Sequence, residues 1–104
     1  MSTIVVRYRP KPERADENQR LVEAVFAELA ETDPGGIRYV TFRLEDGTFV
    51  HIADVEADDN PLGATSAFKR FQAGLADRCE PDEGPNAQDA TIVGSYRFEA
   101  ATNS

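Results

Sequence analysis

The stretch Ile37-Arg38-Tyr39-Val40-Thr41-Phe42-Arg43-Leu44-Glu45-Asp46-Gly47-Thr48-Phe49-Val50-His51-Ile52-Ala53-Asp54-Val55 reads as two β-strands folded about Asp46-Gly47. Asp-Gly suits a two-residue hairpin loop because both positions need positive φ, which Gly adopts without strain and Asp tolerates better than most residues. That loop sets a register in which Leu44 faces Phe49, Phe42 faces His51, Val40 faces Ala53 and Arg38 faces Val55. These side chains share one side of the sheet. The other side carries Ile37, Tyr39, Thr41, Arg43, Thr48, Val50, Ile52 and Asp54. The only histidine of the chain, His51, therefore sits among apolar neighbours, which marks a place to look for a pocket.

Working outward, residues 3–9 alternate as a first strand, with Ile4, Val6 and Tyr8 on one side and Val5, Arg7 and Arg9 on the other. Pro10 and Pro12 end it. A helix is expected over 13–31, where Leu21, Val22, Val25, Phe26 and Leu29 recur at three- and four-residue steps and Glu13, Asp16 and Glu17 suit the positive end of its dipole. Thr32-Asp33-Pro34-Gly35-Gly36 stops it. Beyond the hairpin, Asp58-Asp59-Asn60-Pro61 opens a second helix, with Asn60 as cap and Pro61 at the first helical position. Its main segment is placed at 66–78, with Ala64, Phe68, Phe71 and Leu75 on the buried stripe and Gly63 dividing off a short first turn. Residues 80–89 read as an acidic surface loop, and 91–98 as a fourth strand in which Ile92, Tyr96 and Phe98 alternate with Val93, Ser95 and Arg97. The expected division is one α+β domain over 1–99 and a flexible tail over 100–104.

With 104 residues the chain supports one hydrophobic core. Eleven Lys and Arg against nineteen Asp and Glu give a net charge of −8, which repels phosphate backbones and anionic membrane surfaces, so neither nucleic acid nor membrane is expected as a partner. No apolar run approaches the roughly 20 residues that cross a bilayer, and no secretory leader is visible at the start, so a cytoplasmic location is expected. Cys79 is the single cysteine and reads as a small semi-buried hydrophobe. One histidine with scattered acids does not make a metal centre, and neither a phosphate loop nor a serine nucleophile motif is present, so no cofactor is expected.

The order strand, helix, strand, strand, helix, strand predicts a ferredoxin-like βαββαβ fold, a four-stranded antiparallel sheet with two helices on one face. The helix side would collect Ile4, Val6, Tyr8, Val40, Phe42, Leu44, Phe49, His51, Ala53, Ile92, Tyr96 and Phe98. Val5, Ile37, Val50, Ile52 and Val93 would lie on the uncovered side, an apolar patch that a second copy of the chain would bury.

Four places in the sequence resemble the dimeric α+β barrel superfamily, and within it the antibiotic biosynthesis monooxygenase family. Pro34-Gly35-Gly36 leads into the strand of Tyr39; Asp46-Gly47 precedes Phe49-Val50; Asp58-Asp59-Asn60-Pro61-Leu62 opens the second helix; and Ala67-Phe68-Lys69-Arg70-Phe71 lies within it. The resemblance implies a homodimer with an apolar cavity between helices and sheet, and cofactor-independent oxygenation of an aromatic or quinol substrate. The chain has no Trp and offers Ser66 and Ala67 where a haem-binding relative would supply His, so haem degradation is not expected.

Within that cavity His51 is the candidate catalytic base, weighed against a core histidine satisfied by a hydrogen bond. Tyr8, Phe42 and Tyr96 are the candidate substrate-binding aromatics, and Arg38 a candidate for an anionic group at the cavity mouth. Two other readings use the same chain without turnover: a ligand-binding or sensing module, and an interaction dimer with a fully packed core.

Overall fold

A computed structural model describes residues 2–56 and 60–97. Strand β1 (Ser2–Tyr8) is followed by a 3₁₀ turn at Pro12–Arg14 and helix α1 (Ala15–Thr32). The hairpin pairs β2 (Ile37–Arg43) with β3 (Phe49–Val55). A 3₁₀ turn at Pro61–Ala64 then leads into α2 (Ser66–Ala73), α3 (Leu75–Arg78) and β4 (Asn86–Ala90). The strands form one antiparallel sheet in the order β2-β3-β1-β4, the arrangement expected of a ferredoxin-like fold. No helix among the described residues is long and apolar enough to cross a membrane.

Local chemistry accounts for the boundaries. Helix α1 ends where Asp33 turns left-handed at φ 45° and returns its N–H to the Leu29 carbonyl, immediately before Pro34. Asn60 accepts from the Leu62 N–H at 3.0 Å, as expected of a cap beside Pro61. The acids Asp58 and Asp59 of that entrance lie outside the described residues, as do Phe98 and the 100–104 tail. Glu28 on α1 accepts from the N–H groups of Ser66 and Ala67 at 3.1 and 2.9 Å, so one helix caps the next and fixes where Phe71 enters the core. The expected second helix is broken at Gly74. A Cβ there would stand 3.2 Å from the Arg78 guanidinium, so the break and the missing side chain make room for that residue.

The hairpin register differs from expectation by one residue. Leu44 pairs with Thr48, its N–H donating to the Thr48 carbonyl at 2.8 Å, so the loop is Glu45-Asp46-Gly47 and not a two-residue turn. Gly47 takes φ 92°, the left-handed position of a three-residue loop, while Asp46 accepts from the Thr48 N–H at 2.8 Å. Because side chains alternate, the shift moves every β2 residue to the other side. Tyr39 and Thr41 lie beneath the helices with His51; Val40 and Phe42 lie on the uncovered face, Phe42 being 41% exposed. Nothing lies within 4 Å of a Cβ built at Gly47, so a Gly47→Ala variant isolates the backbone term. It should lose about 1 kcal/mol in urea unfolding from left-handed strain alone.

The fourth strand is also displaced from 91–98 to Asn86–Ala90. The connection from α3 is short and clamped. Lys11 N–H donates to the Arg78 carbonyl, Glu80 N–H to the Arg9 carbonyl and Arg9 N–H to the Glu83 carbonyl, which delivers residue 86 directly beside Arg7. The chain pairs as soon as it arrives, and its polar composition suits an edge strand. Consequently Ile92, Val93 and Tyr96 are exposed and form no part of the core, contrary to the expectation for Ile92 and Tyr96. The core consists of Tyr8, Val22, Val25, Phe49, Leu62, Ala67, Phe71, Leu75 and Cys79.

Candidate functional site: a buried hydrogen-bond chain through His51

Six side chains from five elements form a continuous polar path through this core. Tyr8 on β1 and His51 on β3 stand on adjacent strands under the helices, because Tyr8 pairs with Phe49 and Val6 with His51. Tyr39 and Thr41 reach the same ring from β2. Asn18 belongs to the buried stripe of α1 with Val22 and Val25, and Arg78 extends the stripe of Phe71 and Leu75. Tyr8 Oη lies 2.7 Å from His51 Nε2; Tyr39 Oη lies 2.6 Å and Thr41 Oγ1 3.1 Å from Nδ1. Asn18 Nδ2 is 2.9 Å from Tyr8 Oη, and Arg78 Nε 3.1 Å from Asn18 Oδ1. Arg78 is further held by the Phe71 carbonyl at 2.6 Å and by the Phe71 ring 5.5 Å from its guanidinium carbon.

These bonds have a direction. A guanidinium only donates, so Asn18 Oδ1 accepts from Arg78 and Asn18 Nδ2 donates to the Tyr8 oxygen. Tyr8 then gives its own proton to His51 Nε2. The ring proton is left on Nδ1 and is donated to Tyr39 Oη. No buried side-chain polar atom among the described residues is left without a hydrogen-bond partner.

Burial sets the protonation. His51 is 5% exposed and lies among the rings of Tyr8, Phe71 and Tyr39, whose centroids are 5.3, 5.3 and 5.8 Å away. Desolvation lowers its pKa from 6.5 to about 4, so it is neutral at physiological pH. The same cause raises the Tyr8 hydroxyl above its ordinary value and pushes Tyr39 up to about 12. Burial also lowers the Arg78 pKa and raises that of the Cys79 thiol.

Of the side chains singled out in the sequence, the structure brings Tyr8 and His51 together and separates the others from them. Phe42 is on the opposite face because of the three-residue loop, and Tyr96, 78% exposed, follows β4 outside any strand. Arg38 is also on the uncovered face, where it bonds Asp54, which accepts from Thr3 as well; the Arg38 bond is the main cause that holds the Asp54 carboxyl below its usual range. Tyr39, Asn18 and Arg78 take the vacated places. Asn18 carried a signal, standing four residues before Val22 on the apolar stripe, and Arg78 stands three after Leu75. Around His51 the rings of Tyr8 and Phe71 pack against the imidazole, and Phe49 stacks on Tyr8. Beside it, at the β2 edge, a depression of about 330 Å³ is walled by Tyr39 with Phe26, Leu29, Ala30, Ile37 and Arg38, the Phe26 and Tyr39 rings stacking at 4.9 Å. No three His, Cys, Asp or Glu side chains gather as a metal site among the described residues.

No family model matches the chain, and no curated protein matches it significantly. Solved structures do match it. One described as an antibiotic biosynthesis monooxygenase superposes with a TM-score of 0.66 at 21% identity, over 90% of this chain and 100% of that one. A dimeric ferredoxin-like protein of unknown function from Jannaschia sp. CCS1 gives 0.65 at 15% identity, over 88% and 98%. A protein of unknown function from Nitrosomonas europaea gives 0.68 at 13%, over 91% of each chain. The chain thus has the ferredoxin-like fold found in structures described as antibiotic biosynthesis monooxygenases, and the resemblance read from its sequence holds at the level of fold.

Proposed function

We propose that the protein is a cytoplasmic homodimer, built from one domain over 1–99, that binds a small aromatic molecule at the β2 edge with Tyr39 as its polar contact. One observation carries this reading: the buried chain from Arg78 ends on Tyr39, and Tyr39 is also a wall of the 330 Å³ depression, where Phe26, Leu29 and Ile37 stand beside the charged residues Asp33 and Arg38. Pockets that bind small molecules combine apolar walls with a few fixed polar groups. His51 and Tyr8 act through Tyr39 by fixing its hydroxyl, and Arg38 at the rim is committed to Asp54. Dimerisation is supported by the uncovered sheet face, where Val40, Ile52 and Val5 form a row beside Phe42 and Val50. It is supported too by the dimeric description of the Jannaschia structure.

The likeness to a structure described as a monooxygenase favours a second, catalytic reading of the same site: cofactor-independent oxygenation of a phenol or quinol. A histidine with a pKa of about 4 and both nitrogens engaged is a poor acceptor for a phenolic proton. His51 serves better by donating from Nδ1 to the Tyr39 oxygen, which polarises the Tyr39 O–H toward an ionised substrate oxygen. The two readings separate in one set of measurements. 2-Naphthol should bind saturably and raise the melting temperature, with affinity at least about tenfold weaker in Tyr39→Phe. Absence of saturable binding overturns the site. Oxygen uptake with 1,4-naphthalenediol above the protein-free rate, reduced in the same variant, supports catalysis; binding without added uptake leaves a ligand-binding module.

A further inference from the structure

A phenolic hydroxyl has lone pairs to accept with and a single proton to donate, so the partners of Tyr39 determine which kind of atom a ligand can bring to it. His51 engages the first lone pair. Its Nε2 receives the Tyr8 proton, its own proton is on Nδ1, and the Tyr39 oxygen 2.6 Å away accepts it. Thr41 engages the second. Burial pushes the Tyr39 pKa up to about 12, and the Thr41 hydroxyl acts against burial, as a donor to the phenolic oxygen does and an acceptor from it does not. Thr41 Oγ1 also lies 3.1 Å from His51 Nδ1, beside the same ring nitrogen as Tyr39. With both lone pairs engaged, what Tyr39 has left to offer is its proton.

This polarity originates three hydrogen bonds away, at Asn18. Arg78 can only donate and holds Asn18 Oδ1 at 3.1 Å, which turns the amide nitrogen to the Tyr8 oxygen at 2.9 Å and leaves His51 Nε2 to receive the Tyr8 proton. Asn18 is 0% exposed, which keeps bulk water from reversing either bond.

We propose that Asn18, locked by Arg78, is a positioning residue that makes the site selective for hydrogen-bond acceptors: its aromatic ligand presents a lone pair, on a carbonyl oxygen or a ring nitrogen, and a ring that carries only a donor is turned away. The proposal rests on the reading of Tyr39 as the polar contact of the depression and adds what that contact selects. A donor brought there would meet a proton and lose its bond to water without replacement. One substitution reverses the chain. In Asn18→Asp the carboxylate accepts from both Arg78 and Tyr8, the His51 proton moves to Nε2, and the bare Nδ1 takes the Tyr39 proton, which opens a Tyr39 lone pair to the ligand.

Isoquinoline, an acceptor without a donor, and indole, a donor without an acceptor, are flat bicyclic probes that are both uncharged at pH 8. Calorimetric titration of the full chain should give isoquinoline about tenfold tighter binding than indole, the effect of one hydrogen bond made in place of one opposed. Tyr39→Phe should bring the two affinities together, and Asn18→Asp should invert their order. Equal affinities in the parent, or tighter indole, overturn the acceptor selectivity and leave the site standing. A folded Asn18→Asp protein that keeps the order of the parent overturns the role of Asn18. Should that variant fail to fold, the ¹⁵N spectrum of the parent imidazole decides that role instead: a proton on Nδ1 supports it and a proton on Nε2 overturns it. Absence of binding by both probes overturns the site and its selectivity together.

Discussion

Asn18→Leu is expected to destabilise the fold by about 3 kcal/mol in urea, despite putting an apolar side chain at an apolar position. Asn18 is 0% exposed and stands between Arg78 Nε and Tyr8 Oη. Its loss strands a buried guanidinium N–H and leaves Tyr8 without the donor that orients it. Each orphaned group costs about 1–3 kcal/mol, a large share of the roughly 5–15 kcal/mol that holds a domain together. Asn18→Asp separates charge from direction. The carboxylate keeps an acceptor for Arg78 but cannot donate to Tyr8, so the Tyr8 proton turns toward residue 18 and the His51 ring must donate from Nε2 instead. A stability loss below about 0.5 kcal/mol in Asn18→Leu would show that the chain is not held as described.

The second large effect is on pH. The folded pKa of His51 is about 4 against 6.5 for an unperturbed ring. Above pH 6.5 neither the folded nor the unfolded form carries the proton, and stability is full. Between 6.5 and 4 the unfolded chain binds a proton that the folded one does not, so stability falls with pH and levels off below 4. The loss amounts to about 3 kcal/mol, at most about 1.4 kcal/mol per pH unit. Asp54, Glu17 and Asp46 have lowered pKa values and add their own loss, which begins only as pH falls through the carboxylate range. Urea midpoints at pH 8, 6 and 5 therefore isolate the histidine, and His51→Gln should flatten the profile over that interval. An equal slope in parent and variant would assign the pH dependence elsewhere.

Much of the fold was legible because helices and strands here carry plain periods. The stripe Val22, Val25 and the cap at Asn60 are local signals, and the structure honours them. The register was not legible. Asp46-Gly47 suits both a two-residue loop and a three-residue loop with Gly47 left-handed, and one residue of difference exchanges Phe42 for Tyr39 beneath the helices. The fourth strand failed for another reason: strand propensity favoured 91–98, but the short clamped connection from α3 brings 86–90 to β1 first, and topology overrode composition. In the site, Tyr8 and His51 were readable by parity from β1 and β3. Asn18 and Arg78 were hidden because a polar residue on an apolar stripe is ordinarily placed at its margin, and only the facing partner from another element shows that its polar atoms are satisfied.

The direction of the chain from Arg78 to Tyr39 is most directly tested by ¹⁵N NMR of the His51 imidazole from pH 8 to pH 4.5. The account predicts a neutral ring with its proton on Nδ1 and no titration until pH approaches about 4. A proton on Nε2, or a titration midpoint near 6.5, would contradict it.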